Sequence, residues 1–381
     1  MNRAGYWILV MAALAGCGKY AGQQSAPYAS EAGRRFVPRS RLFPTGRSLL
    51  IGQIFDAGRA AYDNPAVIMW GARLPKLPMY GGHYVILGFY DDTINPWPSK
   101  APVNMTAFNQ FASDHPTWIE YKCDGKTPAW NPGWYYWPVD IGNPNVRRFL
   151  FDEYFYPLLA QGYNIDMDNV GLENSTGRCG HYDVAGKFVR QYNGQYRDQA
   201  YADDVLRATT DFAQMVHAYS PTATLAINTG PTADNVLQVI QLSREADLTL
   251  DEAGVTQYGW ITKANWRAEL KWALALSSTG RCFWDLDNIG SGREPVLQTA
   301  TQRMWDVANY LLTKGPCSYI TINAPPGYGY VQSYPEESVD YGFPLDVATE
   351  RPDGSWVRHF SKVTVIVGPN VWQAEIEPVV P

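Results

Sequence analysis

The residues best suited to chemistry in this chain are carboxylates placed at the ends of apolar runs. In Gly162-Tyr163-Asn164-Ile165-Asp166-Met167-Asp168-Asn169-Val170, Asp166 and Asp168 stand two apart in a strand-like stretch and so point to one face. Two carboxylates on one face of an apolar strand are costly to bury, so either a network satisfies them or they serve a reaction. The pattern recurs. Asp91 and Asp92 end the run 84–91, Asp124 follows 117–123, and Asn228 ends 223–228. Asp251 and Glu252 end 247–252, Asp285, Asp287 and Asn288 end 281–287, and Asn323 ends 317–323. Taken singly, about half of these are expected to be caps and ordinary loop polarity. As a set they describe an acidic mouth with few Lys, Arg or His, unsuited to phosphate. It suits glycoside cleavage, in which one carboxylic acid protonates the leaving oxygen and one carboxylate attacks or activates water. Burial or a neighbouring like charge would let the two differ in protonation at one pH.

Positioning such a set requires a repeating scaffold. Apolar runs at 66–71, 84–91, 117–123, 163–170, 223–228, 247–252, 281–287 and 317–323 read as strands. Helical patterns lie between most of them. Asn143-Pro144 supplies a cap and first-turn proline, an apolar stripe runs from Val146 to Leu159, and Gly162 ends it, with a kink expected at Pro157. Further amphipathic segments cover 200–219, 234–244, 265–278 and 295–314, the last stopped by Gly315-Pro316. Alternating strands and helices give parallel βαβ units. Eight strands over a span of roughly 250 residues predict a (β/α)8 TIM barrel; an open doubly wound sheet follows if 66–71 is not a strand. Two alternating runs, 356–360 and 362–368, predict a small C-terminal β-hairpin cap.

Composition narrows the partners. At 46% hydrophobic and 18% charged, the 381 residues suffice for one large domain. A net charge of −6 and a pI of about 5.4 argue against nucleic acid. The 14 Trp and 25 Tyr are more than packing alone asks for, and flat amphipathic rings suit sugar faces. Trp70, Tyr258, Trp260 and Trp284, with Tyr90, Trp97, Trp130 and Trp134, lie at or after the strands, although half or more are expected to pack. Asp166, Asn169, Asp91, Asp92, Asn228 and Asp285 join Trp70, Tyr258, Trp260 and Trp284 as candidate substrate-binding residues. Five scattered His and no close Cys or His spacing give no metal centre, and no cofactor is expected.

Met1-Asn2-Arg3, an apolar run and Leu14-Ala15-Gly16-Cys17 resemble the signal peptide and lipobox of bacterial lipoproteins. The implied organisation is a signal segment at 1–17 lipidated at Cys17, a tether at 18–49, a barrel at 50–330 and a C-terminal loop and cap at 331–381. No other segment reaches the roughly 18 apolar residues of a membrane span, so a monomer on the bacterial cell envelope would meet the membrane through its lipid alone. Cys123, Cys179, Cys282 and Cys317 allow three disulfide pairings. A Cys123–Cys179 bond would staple the long loop 171–198, the expected wall of a cleft, to the loop after 117–123.

The 162–170 stretch resembles the "GYDGIFLDNV" strand of TIM-barrel glycoside hydrolases related to the endo-α-1,4-polygalactosaminidases. His115-Pro116-Thr117-Trp118, the segment from Asp140 to Arg147, and Arg358-His359-Phe360 resemble other motifs of that group, and Ala246 to Glu252 resembles its "ADGVLLEG" strand. The resemblance spans most of 66–370 and implies Asp168 and Glu252 as the catalytic pair. This chain is one residue shorter between Gly162 and Asp168 and carries Asp166 where the pattern is apolar, so Asp166 either tunes Asp168 or hydrogen-bonds inside the barrel with no chemical role. Two other readings compete: a carbohydrate-binding surface lipoprotein without catalysis on the same barrel, and a glycosyltransferase using Asp166-Met167-Asp168 as a metal-binding DxD.

Overall fold

The acidic strand ends are carried by a sheet whose eight strands all run the same way. The computed structural model describes residues 49, 52–54, 67–69, 79–85, 105–130, 138–252, 254–288, 298–323 and 334–380. In chain order the strands are β1 (Gly52–Ile54), β2 (Val67–Met69), β3 (Met79–Val85), β4 (Asn164–Asp168), a hairpin of β5 (Gly180–Tyr182) and β6 (Phe188–Arg190), β7 (Leu225–Asn228), β8 (Leu248–Asp251), β9 (Cys282–Asn288) and β10 (Tyr319–Asn323). The large sheet is ordered β1-β2-β3-β4-β7-β8-β9-β10, with every neighbouring pair parallel. Parallel neighbours need long crossovers. Helices α1 (Met105–Asp114), α2 (Pro144–Leu150) and α3 (Tyr156–Ala160) stand between β3 and β4, α4 (Gln199–Tyr219) between β4 and β7, and α5 (Val236–Glu245), α6 (Lys263–Ser278) and α7 (Ala300–Thr313) between the later pairs. This is an α/β fold.

The helix boundaries follow from their caps. Asn143 accepts from the Asn145 N–H at the start of α2, Asp198 from Ala200 and Tyr201 at α4, and Thr262 from Asn265 at α6. Thr299 and Gln302 form a reciprocal capping box at α7. The kink expected at Pro157 takes the form of a π-helical turn over Phe151–Phe155, closed by the Tyr156 N–H on the Phe151 carbonyl. Widening the helix one turn early accommodates a proline that cannot donate.

One strand expectation needs correction. The run 117–123 is not in the large sheet: its backbone bonds go to loop partners, Glu120 N–H to Pro138 O (2.7 Å), Ala129 N–H to Glu120 O (2.9 Å) and Tyr121 N–H to Gly180 O (2.8 Å). Its place in the count of eight is taken by β1, a three-residue strand with no alternating signal of its own. Of the second expected run, 84–91, residues 84 and 85 belong to β3 and the rest lie outside the described residues.

Alternation along the strands splits the sheet into two faces. Ile165, Met167, Leu225, Ile227 and Phe283 join a core with Phe155, Phe212 and Trp272 from the helices. Asp166, Asp168 and Asn228 lie on the other face. At the C-terminus the expected hairpin is the centre of a four-stranded antiparallel sheet, β11 (Thr349–Glu350), β12 (Trp356–His359), β13 (Val363–Val367) and β14 (Ala374–Pro378). Its apolar face packs on α7 through Phe360, Val365, Val367 and Trp305. Arg358 donates to the carbonyls of Leu311, Leu312 and Lys314 and so closes the C-terminal end of α7. Disulfides join Cys123 to Cys179 and Cys282 to Cys317. Among the described residues no helix is long and apolar enough to cross a membrane.

Candidate active site

Three adjacent strands bring two carboxylates onto one amide. Asp168 ends β4, Asn228 ends β7 and Glu252 follows β8. The Asn228 Nδ2 donates to Asp168 Oδ1 at 2.6 Å and to Glu252 Oε2 at 2.8 Å. Those two oxygens are therefore no further apart than the two bonds laid end to end. Asn169 donates from its own Nδ2 to Asp168 Oδ2 at 2.6 Å. Asp168 thus accepts on both oxygens. It is 3% exposed, whereas Glu252 is half-buried.

The local backbone explains these positions. Met167 pairs with Ile227, which sets Asp168 beside Asn228 at the strand ends, and the Val170 N–H donates to Asn228 O at 2.9 Å. Asn169 turns the chain at φ 53°, a left-handed conformation that Asn tolerates better than most residues, and this folds its amide back on Asp168.

Above the pair stands the segment after β8. Gln257, Tyr258 and Gly259 have φ values of 42°, 58° and 92° in succession. Two non-glycine residues in that region cost about 1–2 kcal/mol each. The bend is held by Gly259 N–H to Thr256 O (2.8 Å), Trp260 N–H to Gln257 O (3.0 Å) and the Asn265 amide on Gln257 Oε1 (3.0 Å). Burial raises the Tyr258 phenol pKa, and the charges of Glu252, Asp251 and Asp168 add to it. Trp260, two residues on, is 82% exposed, an unusual position for an indole.

The remaining expected residues divide. Asp166 is fully buried one pleat below Asp168. Trp284 shares the face of the pair at the level of Leu250, but it is fully buried and its indole N–H donates to Thr321 Oγ1 at 2.8 Å, so it packs and offers no ring to a ligand. Asp285 also departs from expectation. It lies on the face of β9 shared with Phe283, which meets Trp272 of α6 edge-on, and so it turns towards the helices and away from Asn228. Asp91, Asp92, Trp70 and Cys17 lie outside the described residues. Among the described residues no group of three His, Cys, Asp or Glu is arranged to hold a metal.

The loop 171–198 is tightly built. Arg178, 1% exposed, reaches Glu120 Oε2 (3.3 Å), Val139 O (2.8 Å) and Thr176 Oγ1 (3.2 Å), and the Asn174 side chain brackets the Arg178 backbone. Burial lifts the Glu120 carboxyl to about 8 against the pull of Arg178. The Cys123–Cys179 bond adds a covalent tie to the 117–123 segment. Sequence reading missed the acids that face Asp285 from the helices, Glu269 and Asp306. Their signal was a carboxylate in a buried helical stripe: Trp266, Glu269, Leu270 and Ala273 share one face of α6.

No family model matches the chain, and no curated protein matches it. Among solved structures it is similar to a variant glycoside hydrolase domain of PelA from Pseudomonas aeruginosa, with 14% identity, a TM-score of 0.43 and coverage of 72% of this chain and 94% of that one. It is also similar to a family GH13_31 enzyme (12% identity, TM-score 0.42, covering 71% of this chain and 65% of that one). An α-amylase from Geobacillus thermoleovorans follows at 10% identity and a TM-score of 0.37, with 76% of this chain and 65% of that one covered. Likenesses this distant assign no activity; what they accompany is an α/β chain with two carboxylates bridged by one amide.

Proposed function

We propose that the chain is a glycoside hydrolase that cleaves a poly- or oligosaccharide with Asp168 and Glu252, on a sheet closed as a (β/α)8 barrel. The observation that carries this reading is the Asn228 bridge. Retaining glycosidases hold their carboxyl groups about 5–5.5 Å apart and inverting ones about 6.5–9.5 Å apart. Two oxygens on one nitrogen fit the shorter class. Asp168, accepting on both oxygens, is the nucleophile, and the more exposed Glu252 is the acid and base. In the first step Glu252 gives its proton to the glycosidic oxygen as Asp168 attacks the anomeric carbon, breaking the C–O bond and forming a glycosyl ester. In the second, Glu252 takes a proton from water as that water displaces Asp168. Asn228 keeps the two carboxylates in register, Asn169 and Asp166 support Asp168, and Tyr258 and Trp260 offer sugar-stacking surface, with Trp70, Asp91 and Asp92 assigned to the same mouth. Export and lipidation at Cys17 would place the monomer on the bacterial envelope.

The test is release of new reducing ends from a panel of bacterial and plant polysaccharides. Wild type releases them, whereas Asp168→Asn and Glu252→Gln do not while keeping the wild-type melting temperature. Full activity in either variant removes that residue from the mechanism. The exposed Trp260 also suits binding without cleavage; that second reading requires retained polysaccharide binding with no reducing ends from wild type.

A further inference from the structure

Behind the sheet, five carboxyl groups are buried against one another. Asp251 of β8 (4% exposed), Asp285 (5%) and Asp287 (0%) of β9, Glu269 of α6 (3%) and Asp306 of α7 (0%) occupy the space between strands and helices. The cation beside Asp306, Arg303, is turned to Glu336, whose two oxygens both stand 3.0 Å from its Nε, and stacks on Tyr334. Among the described residues near the cluster, donors are few. The Val255 N–H reaches Asp285 Oδ1 at 3.3 Å and also faces Asp287, Gln298 stands beside Asp306, and among the described residues no side chain donates to either oxygen of Asp287. Glu269 and Asp251 stand within reach of each other, an approach that two ionised carboxylates oppose.

Five negative charges cannot share this space without protons or a cation. Among the described residues the carboxyls do not converge as the ligands of a metal would, so protons are the simplest way to remove the charge. The cluster closes on the 3-10 turn Gly254–Thr256. A Cβ on Gly254, where φ is 52°, would lie 2.4 Å from Asp285 Oδ1 and 2.5 Å from Asp287 Oδ1, so the turn is seated directly on those oxygens. Trp305 of α7 grips the same turn, its indole N–H donating to Val255 O at 2.9 Å. Glu252 precedes the turn, and Tyr258 and Trp260 follow it.

We propose that this cluster is a proton-dependent latch: protonated carboxyls hold the 254–256 turn in place, and their ionisation releases the turn together with Glu252, Tyr258 and Trp260. Burial first, and then the charge of Asp251, lifts Asp285 to about 8; burial likewise holds Glu269, Asp287 and Asp306 well above the usual carboxylate range. Unfolded, these groups titrate near 4. Their folded values are raised, so the stability that depends on them is complete below about pH 4. It is lost as pH rises, through about 8 for Asp285.

The latch goes beyond the glycosidase reading and is tested without any substrate. Hydrogen exchange of peptides spanning 252–260, corrected for intrinsic rates, is followed from pH 5 to 9 in wild type, Asp285→Asn and Asp287→Asn. Wild type is expected to lose protection as pH rises, the opening equilibrium growing about tenfold per pH unit for each proton retained. Each isosteric variant should lose about one such factor. Equal protection across the range in wild type, or an unchanged pH dependence in both variants, overturns the proposal, as does protection restored at pH 9 by added calcium. If the Asn variants fail to fold, Glu269→Gln replaces them. An infrared titration of wild type gives a further check, since absence of any protonated-carboxyl band at pH 7 also overturns the proposal.

Discussion

Asp251 and Glu252 are neighbours in the chain and serve opposite sides of one sheet. Glu252 meets Asn228 and, through it, Asp168, in a half-open place where amides supply the hydrogen bonds. Asp251 meets Glu269 on the helix side, where acids face acids and donors are scarce. The bridged pair thus has amide partners beside solvent, whereas the cluster behind the sheet lies where polar partners are scarce among the described residues. The difference teaches that an acid at the end of a strand of this parallel sheet is not by position a residue of the site. Which side it serves depends on the parity of its place on the strand and on what the facing element offers.

The largest effect should come from the bridged pair. Glu252→Gln and Asp168→Asn should each lower turnover by about a hundred- to ten-thousandfold. Asp285→Asn should leave turnover at pH 6 within about twofold, as expected of a group with no part in the reaction. Reducing-end assays on the three proteins side by side measure the contrast. Next in size, Asn228→Leu removes both bridging N–H groups and should cost about a hundredfold in kcat with little change in KM; a loss confined to KM would make Asn228 a substrate-binding residue instead. Replacing Cys123 and Cys179 together by Ser should cost about 2–4 kcal/mol in denaturant unfolding, through the loop that Arg178 also anchors. The smallest change is expected for Trp260→Ala. Being 82% exposed, this ring contributes little to folding, so the melting temperature should hold while KM rises about fivefold.

Much of the scaffold was legible because strands and helices leave different periods in the sequence. β4, β7, β8 and β10 fall within the apolar runs that announce them and β9 runs one residue past its own, and α4 to α7 begin near the caps or amphipathic stripes expected of them. The run 117–123 was illegible as a loop-bound segment: it is apolar and β-like, and only the partners of its backbone, Pro138, Ala129 and Gly180, separate it from a sheet strand. β1 failed for the opposite reason, three residues being too few for any period. At the site, the grouping of strand-end acids treated Asp285 like Asp168. Glu269 in a buried stripe of α6, and Asp306 beside Trp305 in α7, were the available signs that some strand acids face backwards. Trp284 carried no such sign, since a strand-borne indole reads alike whether it stacks on a sugar or donates to Thr321.

The central claim is that Asp168 and Glu252, held together by Asn228, perform retaining glycoside cleavage. Proton NMR of the first product formed from a cleaved polysaccharide tests it most directly. The geometry predicts an anomeric configuration identical to that of the bond broken, with no product from Glu252→Gln. Inverted product, or the same product from Glu252→Gln at the wild-type rate, would contradict it.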